Sequence, residues 1–183
     1  MLSPESRCSW AFLASASGKR AEMFGAILPD SISGQTFSTV EATIAAFIGR
    51  GRMGSTAAPD GVRGKVVLLD FWSFCCINCL HVLDELRPLE ERFGDQLVLI
   101  GVHSPKFEHE ADPEALVAAV ERYAVHHPVL DDPDLVTWQA YAARAWPTLV
   151  VIDPEGYIVA SMSGEGHGHG LTTLVEELLV EHE

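Results

Sequence analysis

Apolar and polar positions follow two different rhythms along the latter two thirds of the chain. Val66-Val67-Leu68-Leu69-Asp70-Phe71-Trp72 is a continuous apolar run broken by one Asp. Such a run predicts a strand at the centre of a sheet covered on both faces. Val82, Leu86, Leu89 and Phe93 then recur at spacings of four, three and four, a helical stripe that ends before Gly94. Leu97–His103 reads as a second buried strand. Asp112 followed by Pro113 predicts a helix start, with Asp as N-cap and Pro at the first helical position; Leu116, Val117, Val120 and Tyr123 carry that helix. Residues 127–130 form a short strand candidate, and Asp132-Pro133 repeats the start signal for a helix through Trp138 and Tyr141. Strands at Thr148–Ile152 and 157–163 are joined by Asp153-Pro154-Glu155-Gly156, a turn composition. Leu171, Leu174, Val175, Leu178 and Leu179 make a final amphipathic helix. Alternation first and a hairpin last predicts an α/β fold, a mixed central sheet with helices on both faces.

The front of the chain lacks this order. Residues 1–35 show no sustained period, and residues 39–48 read as one short helix carried by Val40, Ile44, Phe47 and Ile48. Glycines around Met53 and the Pro59-Asp60-Gly61 sequence mark a connection ending at Gly64. Charge breaks at the same place. The 183 residues carry a formal net charge of −14, yet residues 1–64 hold six basic and five acidic side chains, and residues 65–183 hold six basic and 21 acidic. We therefore divide the chain into a poorly patterned leader, 1–63, and a globular domain, 64–183. Sparse Lys and Arg argue against nucleic-acid binding and against docking on anionic membranes. No apolar run approaches the roughly 20 residues of a membrane span. Trp10-Ala11-Phe12-Leu13-Ala14 behind Arg7 is short for a signal peptide, so a cytoplasmic protein is expected, with export as the minority reading.

The cysteines change the picture most. Three of the four, Cys75, Cys76 and Cys79, lie within five residues, and only Cys8 stands apart as a free thiol. A disulfide framework would scatter them, whereas clustering points to redox chemistry or metal binding. Cys76-Ile77-Asn78-Cys79 is a C-x-x-C placed where a buried strand turns into a helix. A helix N-terminus offers unpaired N–H groups and partial positive charge, which stabilise a thiolate. Cys76 is thus the expected nucleophile, and Cys79, one turn on, the resolving thiol. Asp70 sits inside an apolar strand, where burial disfavours its charge; it is the candidate acid–base for Cys79.

Together, "VVLLDFWSFCCINC" and "AWPTLVVIDPEGYIVASMSGEGH" resemble the thioredoxin superfamily. More narrowly, residues 64–180 are similar to the thioredoxin-like domain at the front of NHL-repeat proteins and to bacterial thiol-reductant proteins. The resemblance implies a thioredoxin fold with an extra strand–helix insertion before a cis-proline at Pro147. It implies Cys76 as attacking thiol, Cys79 as resolving thiol and Asp70 as buried acid. It also implies that the backbone beside Pro147 pairs with an extended substrate segment. Trp146 and Trp72 are expected to wall the site. There are departures. Cys75 stands where thioredoxins carry Trp, Ile77-Asn78 replaces Gly-Pro, and Asp84 stands where the family often has Pro, with Pro88 four residues on. The chain ends at Glu183, so no propeller is expected within it.

The expected activity is thiol–disulfide exchange, in the reducing direction, by a monomer without cofactor or metal. Its partners would be disulfide-containing protein substrates and an electron donor that the sequence does not identify. The competing reading is a copper- or zinc-binding chaperone using Cys75, Cys79 and a distal His, for which His103 is the candidate. His103 otherwise reads as a hydrogen-bonded residue at a strand end, able to tune nearby thiols. His167 and His169, between glycines, read as a solvated loop. Cys75 itself is expected to be the least acidic of the three thiols and to fill space as a small hydrophobe.

Overall fold

The computed structural model describes residues 62–182. The proposed short helix at 39–48, Cys8 and nearly all of the leader lie outside the described residues. Five strands and four α-helices follow in the expected order: β1 (Val66–Trp72), α1 (Ile77–Phe93), β2 (Leu97–His103), α2 (Pro113–Arg122), β3 (Val129–Asp131), α3 (Val136–Ala140), β4 (Thr148–Ile152), β5 (Ile158–Ser163) and α4 (Gly168–Glu181). The sheet order is β3-β2-β1-β4-β5. β1 runs parallel to β2 and antiparallel to β4, so the sheet is mixed. Between β2 and the Pro147 turn that leads into β4 lie α2, β3 and α3, and β3 extends the sheet edge beside β2.

β1 explains why the run 66–72 is almost wholly apolar: all seven residues are buried. Successive side chains take opposite faces. Val66 and Leu68 meet α1 and α4 through Val82, Leu86, Leu174 and Leu178. Val67, Leu69 and Phe71 meet Trp138 and Tyr141 at α3 on the other face. The alternation places Asp70 on the α1 side, with no apolar reason to be there.

Local signals decide the ends of most elements. Asp112 caps α2 as expected, its carboxylate accepting from the Glu114 N–H at 3.0 Å. Gly94 ends α1 at φ +48°, a conformation that glycine adopts at no steric cost. Asp132 behaves differently from expectation. Pro133 is not the first residue of a helix; α3 begins at Val136, preceded by Leu135 at φ +56°. The Asp132 carboxylate still caps α3, reaching forward to the Thr137 and Trp138 N–H groups at 3.0 and 2.9 Å. The N-terminus of α4 is capped from across the molecule. Glu85 of α1 accepts from the Gly166, His167 and Gly168 N–H groups at 2.8, 3.0 and 3.1 Å. This tie buries His167, whose ring nitrogen Nε2 lies 3.1 Å from the Ser163 carbonyl; the residue is not part of a solvated loop, although His169 is exposed.

Gly101 pairs with Asp70 across β1 and β2. A Cβ there would lie 3.1 Å from Trp72 Nε1, 3.2 Å from His127 Nε2 and 3.3 Å from Val129 Cγ2. Trp72 is fully buried and cannot swing away. Gly101→Ala is therefore expected to destabilise the fold by about 1–3 kcal/mol through overpacking. Urea denaturation checks this, and an unchanged midpoint would contradict it. No helix among the described residues is long and apolar enough to cross a membrane.

Candidate functional site

The site forms where β1 stops and α1 starts. After Trp72 the chain turns through Ser73, Phe74 and Cys75, and Cys76 is the N-cap of α1. The turn is closed by the Cys76 N–H donating to the Ser73 carbonyl at 3.1 Å. All three cysteines described are free thiols. They differ in access. Cys75 is exposed, Cys76 retains 7% of its surface, and Cys79 in the first turn of α1 has none.

Pro147 arrives from the other side of the sheet. The Trp146–Pro147 peptide bond is cis. Cys76 Sγ lies 3.8 Å from the Trp146 carbonyl oxygen. Two segments 70 residues apart thus meet at one sulfur. Trp146 is held by its indole N–H donating to the Ser104 carbonyl at 2.7 Å and by stacking on Trp138 at 4.1 Å between centroids. Lys106 places its ammonium 5.3 Å from the centre of the Trp146 ring.

Beneath the thiols lies Asp70, fully buried, with neither carboxylate oxygen hydrogen-bonded. Burial pushes its pKa up to about 8. Cys79 is pushed up as well, first by burial, then by the neighbouring Cys76 sulfur, with the Asp70 charge adding to the effect. A backbone hydrogen bond from Ser73 works in the opposite sense. Cys79 and Asp70 therefore share one buried region in which neither readily carries charge.

Three expectations change here. Trp72 does not wall the site; it is fully buried and packs under the cysteines with Leu83, Leu116 and Val129, because it ends β1 beneath the start of α1. Cys75 does not fill a hydrophobic space, because the turn projects it outward, 3.4 Å from His109 Nε2. Nor is it the least acidic thiol. Burial and the Glu110 carboxylate push it up, but the larger displacement falls on Cys79, which is sealed below.

His103 does sit at the end of β2 on the α1 side. It is wholly buried, stacked on Phe74 at 5.1 Å and edge-on to Trp72 at 5.4 Å. Burial pulls its pKa down to about 4, against an opposing pull from Glu110. Its ring nitrogens make no hydrogen bond, so it is not the bonded loop residue expected. Cys75 faces His109 rather than His103, and the described residues bring together no group of three His, Cys, Asp or Glu side chains arranged to hold a metal ion.

Sequence reasoning missed Glu110. Its carboxylate is fully buried and accepts four hydrogen bonds: from Ser73 Oγ at 2.6 Å and from the Cys75, Lys106 and Phe107 N–H groups at 3.0, 2.8 and 3.0 Å. It pins the cysteine turn to the segment after β2. Burial would raise its pKa, but the bonds from Ser73 and the three N–H groups outweigh burial and hold the acid below the usual carboxylate range. The available signal was its place three residues after Phe107, where a Glu can reach back to the first N–H of a helical turn.

A family model described as thioredoxin-like matches residues 64–158. NHL repeat-containing protein 2 of Gallus gallus is 48% identical over 106 residues, 57% of this chain and 15% of that protein. Thiol-disulfide oxidoreductase YkuV of Bacillus subtilis is 25% identical over 119 residues, 65% of this chain and 80% of that protein. Among solved structures, the exposed lipoprotein thioredoxin Etrx1 of Streptococcus pneumoniae superposes with a TM-score of 0.57 at 29% identity, over 65% of this chain and 89% of that one. The chain spans only 11–17% of the length of its long curated relatives.

Proposed function

The chain belongs to the thioredoxin-like family, and on that premise we propose that it is a thiol–disulfide oxidoreductase, working as a reductase through Cys76 and Cys79. The observation that carries this reading is the meeting of Cys76 Sγ with the Trp146 carbonyl, beside Pro147, at the start of α1. Cys76 is the sulfur of the pair that reaches the surface, and Cys79 waits behind it.

In the proposed cycle the Cys76 thiolate attacks one sulfur of a substrate disulfide. A mixed disulfide forms, and the other substrate sulfur leaves as a thiolate. The backbone beside Pro147 and the Trp146 ring hold the substrate segment as an added strand. Cys79 then gives its proton to Asp70 and attacks Cys76 Sγ. The mixed disulfide breaks, and the second substrate sulfur departs with its electron pair. The protein is left with a Cys76–Cys79 disulfide, and an electron donor returns two electrons to reset it. Asp70 suits the proton step because its pKa, raised to about 8, lets it accept and return a proton near neutrality. The reducing direction belongs with a cytoplasmic setting, where thiols are kept reduced.

Equilibration of the full chain with glutathione buffers tests the reading. The pair is expected to form one disulfide with a potential near the roughly −270 mV of thioredoxin. A value near the roughly −120 mV of a strong oxidant would overturn the direction. Failure to form any Cys76–Cys79 disulfide would overturn the function.

A further inference from the structure

Two cysteines stand side by side at the mouth of the site, and the more exposed one is Cys75. Access alone would make it the first thiol that an incoming disulfide meets. An imidazole also lies against it: His109 Nε2 is 3.4 Å from Cys75 Sγ. A thiol paired with an imidazole is the usual arrangement of an activated nucleophile. Something must oppose that pairing if exchange is to run through Cys76, and the group that opposes it is Glu110.

We propose that Glu110 is a positioning residue that holds Cys75 out of the exchange cycle and leaves Cys76 as the entry thiol. This rests on the reading of Cys76 and Cys79 given above.

Geometry supplies two means. First, Glu110 Oε1 accepts the Cys75 N–H at 3.0 Å and the Ser73 hydroxyl at 2.6 Å, fixing the turn that projects Cys75 outward and sets Cys76 at the helix start. Second, none of its four hydrogen-bond donors carries a charge; they are one hydroxyl and three backbone N–H groups. They stabilise the carboxylate without cancelling its charge. A lasting negative charge beside a thiol disfavours the thiolate. The titratable groups facing Cys75 are His109 and Glu110, both from the 3-10 turn Glu108–Ala111, with Cys76 as its chain neighbour. Burial, the Glu110 charge and a hydrogen bond to Glu110 all act to raise the Cys75 thiol.

The consequence concerns the oxidised protein. A Cys75 thiolate attacking Cys79 Sγ would form a Cys75–Cys79 bond and break Cys76–Cys79, the electron pair leaving on Cys76 as thiolate. That isomerisation needs no outside oxidant, because one disulfide is exchanged for another. It would strand the pair in a form that cannot turn over. Keeping Cys75 as a thiol blocks it.

The test is pulse alkylation of the reduced full chain with iodoacetamide, across a pH series spanning the ordinary thiol pKa of about 8.5. Fragment-resolved mass spectrometry reads each cysteine separately. In the wild type, Cys75 should titrate above that ordinary value. Glu110→Gln keeps an acceptor oxygen and loses the charge. It should lower the Cys75 midpoint and raise Cys75 alkylation at neutral pH several-fold over the wild type. The oxidised Glu110→Gln protein should also accumulate the Cys75–Cys79 isomer, which the wild type should not. Glu110→Asp, which keeps the charge, should hold Cys75 at the higher midpoint. A wild-type Cys75 that titrates at or below the ordinary value, because His109 dominates, overturns the proposal. So does an unchanged Cys75 profile in a folded Glu110→Gln variant. A wild-type midpoint that is not raised overturns the proposal even if Glu110→Gln fails to fold, and Glu110→Asp against the wild type then carries the charge comparison. Alkylation needs no turnover, so an inert Cys76–Cys79 pair beside a raised Cys75 would sink the functional reading alone.

Discussion

Cys76→Ser is expected to abolish disulfide reduction, lowering turnover of a model protein disulfide by roughly a thousandfold or more, the scale of losing an attacking nucleophile. The serine hydroxyl has nearly the shape of the thiol and none of its readiness to ionise near neutrality. Stability should change little, because serine is a favoured N-cap residue at this helix start and the Cys76 sulfur's contact to the Trp146 carbonyl is long, at 3.8 Å. Cys79→Ser should also stop turnover, with a different signature. Cys76 can still attack, so mixed disulfides with substrate should accumulate through Cys76 and persist. Non-reducing electrophoresis with mass mapping separates the outcomes. Adducts linked through Cys79 in Cys76→Ser, and none through Cys76 in Cys79→Ser, would reverse the roles. The burial difference makes that reversal hard to accommodate: Cys79 has no exposed surface, and a protein substrate would have to displace the start of α1 to reach it.

Much of this arrangement could be read from the chain. The run 66–72 announced a central strand because both of its faces are covered, and an apolar run is the mark of that environment. The 4-3-4 spacing announced α1, even with Pro88 inside it, because the buried stripe of Val82, Leu86, Leu89 and Phe93 outweighs one missing N–H donor. Asp70 stood out because a carboxylate in such a strand needs a cause. What stayed hidden depends on contacts between distant segments. Glu110 lies in Lys106-Phe107-Glu108-His109-Glu110, which reads as a charged surface loop. Glu108 is indeed exposed, and Glu110 two residues on is buried under the cysteine turn; no local period separates the two. Trp72 looked like a wall because it adjoins the motif, but the sheet ends beneath the helix and makes it a floor. His167 looked solvated between glycines; it is buried because Glu85, on a helix more than 80 residues earlier, draws that backbone inward. The Asp132 signal named the right cap and the wrong first residue. Its carboxylate reaches five and six residues ahead, past the intervening turn, instead of two.

Asp70 carries the second large effect, and it acts on stability and activity in opposite directions. An acid whose pKa rises on folding, here from 3.8 to about 8, binds its proton more tightly in the folded chain. Below pH 3.8 both states are protonated and the residue costs nothing. As pH climbs from 3.8 toward about 8, the unfolded carboxylate ionises while the folded one resists, so each unit removes about 1.4 kcal/mol of stability. Above about 8 the loss levels off. Asp70→Asn has nearly the same shape and no titration. At neutral pH it is expected to be more stable than the wild type by roughly 2–4 kcal/mol, with the difference fading to nothing near pH 4. Denaturant titrations at several pH values measure that convergence. In the proposed cycle the same change removes the group assigned to take the Cys79 proton, so resolution of the mixed disulfide should slow by roughly a hundredfold, the lower range for positioned proton transfer. A stopped-flow measurement on a preformed Cys76 mixed disulfide isolates that step. An Asn variant no more stable than the wild type at any pH would mean that the carboxylate is not buried without a partner. An Asn variant that resolves at the wild-type rate would remove Asp70 from the mechanism, leaving its place in the central strand without a chemical reason.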